Sequence, residues 1–369
     1  MATEHVSTER PWYQHITIDL LILVLRRTLF HPFVAWMLPL SLLAQGTPYQ
    51  RLSFLLTTAY ASFLTLLYIL GAVNHRIAYG APRKMHWEEE VVVITGGSSG
   101  LGRVIADMYL MRGVTVAVLD VNPFYEGRED EEEGKNIHWF RCDVGDPEYI
   151  EKAKVLIEEQ LGTPTVLINN AGIVNGLPLL SLPFSAIEKN FRINLLAQYA
   201  TIQAFLPSML RRASGGTIVT ISSVLGHLGA SHLSDYTAAK AGLFAMHASL
   251  CAELAALSAA PDAPAGAKTI KTILVKPGQL STPLFRGVQT PSNFFGPVVE
   301  PVELAKEIVG MIDAGESGEL AMPFYARWIE WMTVLPAGLQ RVVRWASAID
   351  RAMLSFDGKV IDGPSKKSQ

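Results

Sequence analysis

The chain is poor in the residues that would build a metal centre, a disulfide scaffold or a nucleic-acid surface. Only Cys142 and Cys251 occur in 369 residues, far apart and at no zinc or redox spacing. Both read as small buried residues of a reducing compartment. No Asn-x-Ser/Thr sequence is present, in keeping with a cytosolic face. The net charge of −3 comes without a long basic run, so there is no case for nucleic acid as a partner. Ser222–Ser223 lacks a Gly-x-Ser-x-Gly elbow, which argues against a hydrolase triad. His227 and His232 have no second ligand at metal spacing and read as loop histidines.

Apolar residues are abundant: 49% of the chain, with a mean hydropathy of +0.24. The excess is local. Residues 52–73, "LSFLLTTAYASFLTLLYILGAV", carry no charge. As a helix they span roughly 33 Å, enough for a hydrocarbon core of about 30 Å. Upstream, 16–44 is apolar but broken by Asp19, Arg26 and Arg27, and the piece from Thr28 to Ala44 contains His31, Pro32 and Pro39. It either crosses a membrane or dips in and returns. No basic start or small-residue cleavage site marks a secretory signal. Arg26 and Arg27 lie before the pair of apolar segments, and Arg76, Arg83 and Lys84 after it. Basic residues at both ends predict a hairpin with its ends, and the following domain, on the cytosolic side. Residues 1–87 are therefore expected to be a membrane anchor.

From Val91 short Val/Ile/Leu runs alternate with helical periodicity. The runs are 91–95, 114–120, 137–144, 165–172, 216–223, 269–278 and 318–323; the helical stretches include 101–112, 147–160, 185–210 and 236–257. Near-continuous apolar strands alternating with helices predict a parallel sheet covered on both faces. The fold class is α/β, doubly wound and Rossmann-like, over 88–323. Two inserts, 122–136 with its acidic run and 258–268 rich in Ala, Pro and Gly, read as surface loops.

The first strand ends in "TGGSSGLG", 95–102, where a helix begins. Glycines there let backbone approach a pyrophosphate, and the helix N-terminus offers unsatisfied N–H groups to it. The next strand ends at Asp120. An acidic residue at that place hydrogen-bonds the adenosine ribose and repels a 2′-phosphate, so the expected cofactor is NAD rather than NADP. Further along, Tyr236 precedes Lys240 by one helical turn in "YTAAK". A phenol is a poor proton-transfer group near neutrality; an adjacent ammonium favours its ionised form. The pair alone does not separate catalysis from a surface contact.

Together these motifs, with "NNAG" (169–172), "ISSVLG" (221–226) and "KPGQLST" (276–282), resemble the short-chain dehydrogenase/reductase family from about Val91 to Pro323. The resemblance implies that Tyr236 exchanges a proton with the substrate oxygen. Lys240 and the positive nicotinamide would stabilise its phenolate, and Lys240 would bind the nicotinamide ribose. Ser223, 13 residues before Tyr236, would hold the same substrate oxygen, and is preferred to Ser222 on that spacing. Asn194, in "NFRINLLAQ", would hold a water linking Lys240 to solvent. Implied cofactor contacts are Thr95, Gly96, Ser98, Ser99, Gly100, Leu101 and Gly102 in the turn. To these the resemblance adds Asp120, Asp143, Val144, Asn169, Asn170, Ala171 and Gly172 on the adenosine side, then Tyr236, Lys240, Pro277, Gly278 and Thr282.

After Thr282, the segment 283–301 is expected to be a substrate lid, with Leu284, Phe285, Phe294 and Phe295 either lining the site or simply packing. The tail 324–369 mixes Trp328, Trp331 and Trp345 with Arg327, Arg341, Arg344 and Arg351. It suits a membrane interface, a homodimer contact or a helix packed on the domain. Anchor plus dehydrogenase domain is similar to the branch of retinol dehydrogenases and 17β-hydroxysteroid dehydrogenases of the endoplasmic reticulum and lipid droplets. The expected activity is oxidation or reduction between a lipophilic alcohol (retinoid, steroid or long-chain lipid) and its carbonyl. The alternatives are an NADPH-dependent ketoacyl or ketosphinganine-type reductase, and a non-catalytic organiser of lipid surfaces.

Overall fold

β-branched side chains pack well on a pleat, and the Val/Ile runs are bounded by Gly, Asn or Asp, which stop them. The computed structural model describes residues 17–124, 136–288 and 292–356; most of the acidic insert, 125–135, lies outside them. The strands are β1 (Val91–Thr95), β2 (Thr115–Asp120), β3 (Ile137–Arg141), β4 (Val166–Asn169), β5 (Thr217–Ile221), β6 (Lys271–Pro277) and β7 (Gly318–Met322). They form one sheet in the order 3-2-1-4-5-6-7, with every pairing parallel.

Alternation along each strand sorts the core into two layers. Val92 and Ile94 of β1 face one side, with Ile105 and Tyr109 of α4 (Gly100–Leu110) and Leu304, Ile308 and Ile312 of α9 (Pro301–Asp313). Val91 and Val93 face the other. There they meet Ile150 and Ile157 of α5 (Pro147–Gln160), Phe205 and Met209 of α7 (Ala197–Arg211), and Leu243 and Met246 of α8 (Ser234–Ala259). This is the doubly wound arrangement expected from the strand pattern. The stretch 185–210, which the periodicity presents as one helix, is interrupted. α6 (Phe184–Phe191) enters a widened π turn at Arg192–Leu196 before α7 begins, and Asn194 sits buried in that turn.

The chain divides into two compact units: Met1–Ala81 with Asn293–Pro297, and Pro82–Ser292 with Val298–Gln369. The first contains α1 (Ile18–Arg27), α2 (Pro32–Ala44) and α3 (Leu52–Tyr79). α2 and α3 meet at Ala35, Ala61 and Leu64, where the two alanines let the backbones approach. Trp36 Nε1 donates to Thr65 Oγ1 at 3.0 Å, and the Tyr60 hydroxyl to the Leu29 carbonyl at 2.6 Å. The remaining surface of these helices is apolar and exposed, as at Phe33, Leu40, Tyr68 and Ile77. α3 has 28 residues and α2 has 13. Their lengths are therefore roughly 42 Å and 20 Å, above and below a bilayer core of about 30 Å. α3 and α8 are the described helices long and apolar enough to cross a membrane by length and composition. α8, however, lays one face on the sheet. The Ile18 N–H at the start of α1 donates to the Phe294 carbonyl at 3.1 Å. The expected lid is thus divided: Phe294 and Phe295 belong with the helices of the first unit, Leu284 and Phe285 with the sheet unit.

Arg83 also departs from expectation. It is 3% exposed and interior to the sheet unit, rather than a flanking charge. Its guanidinium donates to both Glu90 oxygens, at 2.7 and 2.8 Å, and to the Ser214 carbonyl at 2.7 Å. Removing one partner would leave a buried charge unpaired. Arg83→Ala is therefore expected to lower unfolding stability by about 3–5 kcal/mol, measured by denaturant titration, and a loss below about 1 kcal/mol contradicts this reading.

Candidate active site

A parallel sheet opens a crevice where neighbouring strands send their connections to opposite faces, here between β1 and β4. The turn after β1 and the turn after β4 close on each other there. Gly96 has φ +64°, and a Cβ on it would lie 2.8 Å from the Ala171 Cα, so no larger residue fits without displacing backbone. Thr95 Oγ1 accepts from the N–H groups of Asn170 and Ala171, at 3.0 and 3.1 Å. Asn170 Nδ2 donates back to the carbonyls of Thr95 and Gly96, at 3.1 and 3.0 Å. Thr95 and Asn170 therefore spend their polar groups on shaping the crevice. Asn169 contributes its Oδ1, which accepts from Thr201 Oγ1 at 2.7 Å.

Ser99 starts α4 without a side-chain cap, so the first-turn N–H groups around Gly100, Leu101 and Gly102 keep a free direction. A Cβ at Gly100 would have Thr282 Cγ2 at 3.6 Å, so Thr282 stands over the glycine turn from the far side of the crevice. Asp120 closes the β2 end. Its Oδ2 accepts from the Ser98 N–H at 3.0 Å and its Oδ1 from the Asn122 N–H at 2.9 Å. Each oxygen retains acceptor capacity for a hydroxyl. Arg103, the nearest base, turns to Asp107 and to the Phe124 carbonyl. Asp143 binds the Gly145 N–H at 2.9 Å next to buried Val144. Glycine cradle, open helix start and carboxylate fit an adenine dinucleotide: Gly96, Ser98, Gly100, Leu101 and Gly102 would receive its phosphates and Asp120 its ribose.

The reacting end is assembled from β5, α8, the π turn and the β6 terminus. Ser222 and Ser223 leave β5 in opposite directions. Ser222 Oγ donates to the Lys240 carbonyl at 2.9 Å and fastens α8. Ser223 Oγ accepts from the Leu225 N–H at 3.2 Å and donates to the Pro277 carbonyl at 3.5 Å, and its hydroxyl is near enough to Tyr236 to favour the phenolate. Ser222 is thus committed to α8, whereas Ser223 is not bonded to that helix's backbone. Lys240 Nζ donates to the Ile221 carbonyl at 2.8 Å and lies 5.7 Å from the Tyr236 ring centroid. Asn194 gives both amide hydrogens to Ile173 O and Asn190 Oδ1, at 2.9 and 2.8 Å, and accepts from the Ile173 N–H at 2.9 Å. A Cβ at Gly172 would have Asn194 Oδ1 at 2.9 Å and Lys240 Nζ at 3.9 Å, so these three converge. Gly278, beyond Pro277, donates its N–H to the Met322 carbonyl at 2.7 Å. Phe285 meets Tyr236 edge-on at 5.7 Å, and Leu284 is the more exposed neighbour.

Tyr236 and Lys240 are both almost fully buried, at 3% exposure each. Burial drives the Tyr236 phenol well above its ordinary value, and the Ser223 hydrogen bond draws it back only in part. Burial also pulls the Lys240 ammonium down to about 8. The expectation is that Lys240 and the positive nicotinamide together stabilise the phenolate. Desolvation opposes each charge. A second ionic group escaped the sequence reading: Lys276, beside Pro277, binds Glu319 and Glu330 at 2.5 Å each, and His227 approaches Glu330 at 3.3 Å. Four separate segments supply it, which no local motif announces.

Residues 90–292, more than half of the chain, match the family model described as short chain dehydrogenase. The chain belongs to that family. It is an oxidoreductase of the short-chain dehydrogenase type. An uncharacterised oxidoreductase of Saccharomyces cerevisiae, TDA5, is 33% identical over 264 residues, covering 70% of this chain and 76% of that protein. Human epidermal retinol dehydrogenase 2 is 33% identical over 60% of this chain and 71% of its own length. Estradiol 17-beta-dehydrogenase 11 of Pongo abelii is 31% identical over 67% and 78%. Among solved structures, a short chain dehydrogenase from Burkholderia cenocepacia J2315 in complex with NADP superposes with a TM-score of 0.56 at 22% identity, covering 71% of this chain and 98% of that one. At that identity the likeness concerns the fold.

The opposed serines give a direct test. Ser223→Ala is expected to lower kcat at least about 100-fold with dinucleotide affinity preserved, while Ser222→Ala stays within about tenfold of wild type. Equal losses in the two variants would remove the distinction.

Proposed function

We propose that this protein is a membrane-anchored, NAD-dependent dehydrogenase that interconverts a lipophilic alcohol and its carbonyl. The observation that carries the reading is the convergence of Ser223, Tyr236 and Lys240 at one end of a crevice whose other end is the glycine turn and Asp120. When bound, the dinucleotide supplies the hydride acceptor or donor. The chain's own residues handle the proton and the positioning. Ser223 and Tyr236 hold the substrate oxygen between them. Tyr236 takes the alcohol proton in oxidation and returns it in reduction, while Lys240 keeps the phenolate from being stranded as a lone buried charge. Asn194, held by Ile173 and Asn190, fixes the backbone of the π turn beside Lys240, where a proton path to solvent would start.

Asp120 supports NAD. A 2′-phosphate next to a carboxylate whose nearest base is committed elsewhere would meet repulsion without compensation. The anchor supports a lipophilic substrate. We read α2 and α3 as a helical hairpin inserted from the cytosolic side of the endoplasmic reticulum or of a lipid droplet. Arg26 and Arg27 stand at one end, Arg76 and exposed Lys84 at the other. The exposed Trp331, Val342 and Trp345 of the tail, with Arg341, suit contact with lipid headgroups. Retinol and estradiol are what the relatives' names give; a largely apolar carbon body carrying a hydroxyl group is what they share.

Two measurements test this. Membrane-embedded protein should oxidise a lipophilic alcohol with NAD at least about 100-fold more efficiently than with NADP, and Asp120→Ala should cost about 10–100-fold in NADH affinity. Preference for NADP would overturn the cofactor reading. The pH profile tests the pair. A cation favours the phenolate, so removing it raises the pH needed to form one. In Lys240→Met the acid limb of kcat/KM for oxidation should move upward by at least about one pH unit, and an unmoved limb would show that Lys240 does not tune Tyr236.

A further inference from the structure

Past the last strand, the chain folds back onto the reacting residues. After α10 (Ala337–Ser347), the turn Ile349–Ser355 buries Met353 against Leu233 and Tyr236, with 5% of Met353 exposed. Phe356 joins the same cluster, together with Phe285 and Val288. Its ring lies so close to Gly176 that a side-chain carbon there would overlap it. The segment is pinned in place. Arg344 donates to both Asp350 oxygens, at 2.5 and 3.1 Å, and to the Gly229 carbonyl at 2.6 Å. Gly229 belongs to the connection between Ser223 and Tyr236. The tail and the loop bearing the reacting residues are therefore tied together.

We propose that Met353 and Phe356 form a wall of the substrate site and set which apolar bodies reach Tyr236. The inference rests on the dehydrogenase reading above and assigns to the tail a role in selection. Tyr236 has Phe285 edge-on at 5.7 Å and Met353 packed in the same cluster, so a substrate whose oxygen lies at Tyr236 has its carbon body beside these side chains. Methionine adapts its shape to what it touches, whereas a phenylalanine ring is rigid. The wall would thus accept an alcohol on a flat or branched apolar body and resist one too thin to fill the space. A single methylene in an apolar pocket is worth about tenfold or more in kcat/KM, so shortening either side chain should be readable as a change of preference.

The experiment uses the full-length, membrane-embedded enzyme with NAD and a graded series of alcohols, from 2-butanol through 2-dodecanol to a sterol. Met353→Ala and Phe356→Ala are compared with wild type, and NADH binding is followed by fluorescence. The expected result is a change of about tenfold or more in the ratio of kcat/KM between bulky and slender alcohols, with NADH affinity within about twofold. An equal loss on every alcohol, or no change, overturns the wall. A wild-type enzyme confined to short alcohols overturns the lipophilic reading alone, and the wall then stands only if the variants admit longer ones. If wild type binds NADH but oxidises none of the series, the activity reading fails. The wall is then judged by hydrogen exchange in a chain ended after Ala348. Faster exchange confined to 173–176 and 233–236 supports the tail's seat on Tyr236, and unchanged exchange there overturns it.

Discussion

The structure depends on placing a phenol and an ammonium side by side out of water. Each group alone resists ionisation there: burial raises the tyrosine and lowers the lysine, to about 8 for Lys240. The Coulomb attraction between opposite charges grows as the surroundings become less polar, and when both groups ionise it offsets part of the desolvation cost that each pays. Ordinary surface exposure would remove both effects. The rest of the fold can be understood as what is needed to hold Tyr236 and Lys240 at that depth with their polar atoms satisfied.

Three devices accomplish this. Helix spacing sets Tyr236 and Lys240 on one face of α8, and Ser222 fastens that helix to the end of β5 through the Lys240 carbonyl. The Ile221 carbonyl, at the same strand end, receives the lysine Nζ, so the ammonium has a partner before any ligand arrives. The π turn brings Asn194 against Ile173 and next to Gly172. A regular helix over that stretch would rotate Asn194 away from the β4 turn by the extra residue that the widened turn absorbs.

The sequence made legible whatever is periodic or contiguous. The Val/Ile runs gave the strands, because a buried parallel strand tolerates little else. The glycine turn, Asp120 and the Tyr–Lys spacing could be read because each is a short segment whose geometry follows from its own residues. Ser223 could be preferred to Ser222 on spacing, though only the structure shows Ser222 committed to α8. What stayed hidden depends on distant partners. Arg83 looks like one more flanking charge until Glu90 and the Ser214 carbonyl enclose it. Nothing local in the sequence signals that the Phe294 carbonyl accepts from the Ile18 N–H at the start of α1. Met353 and Phe356 sit in a tail whose tryptophans and arginines draw attention to the surface, and nothing local signals a return to Tyr236.

The acid–base pair and the apolar walls bear on each other. A lipophilic substrate expels water from the Tyr236 face and lowers the local polarity further. In such a site a proton transfer that changes the net charge becomes harder, while one that conserves it becomes comparatively easy. Passing the alcohol proton to a phenolate keeps the charge of the site constant, and the Lys240 ammonium needs no rearrangement. A small, well-hydrated alcohol would bring water with it, which solvates each charge separately and loosens their coupling. On the proposed reading, the apolar character of Phe285, Met353 and Phe356 would bear on the chemistry as well as on recognition. A substrate that fills the wall also completes the environment in which the neighbouring pair can hold its proton.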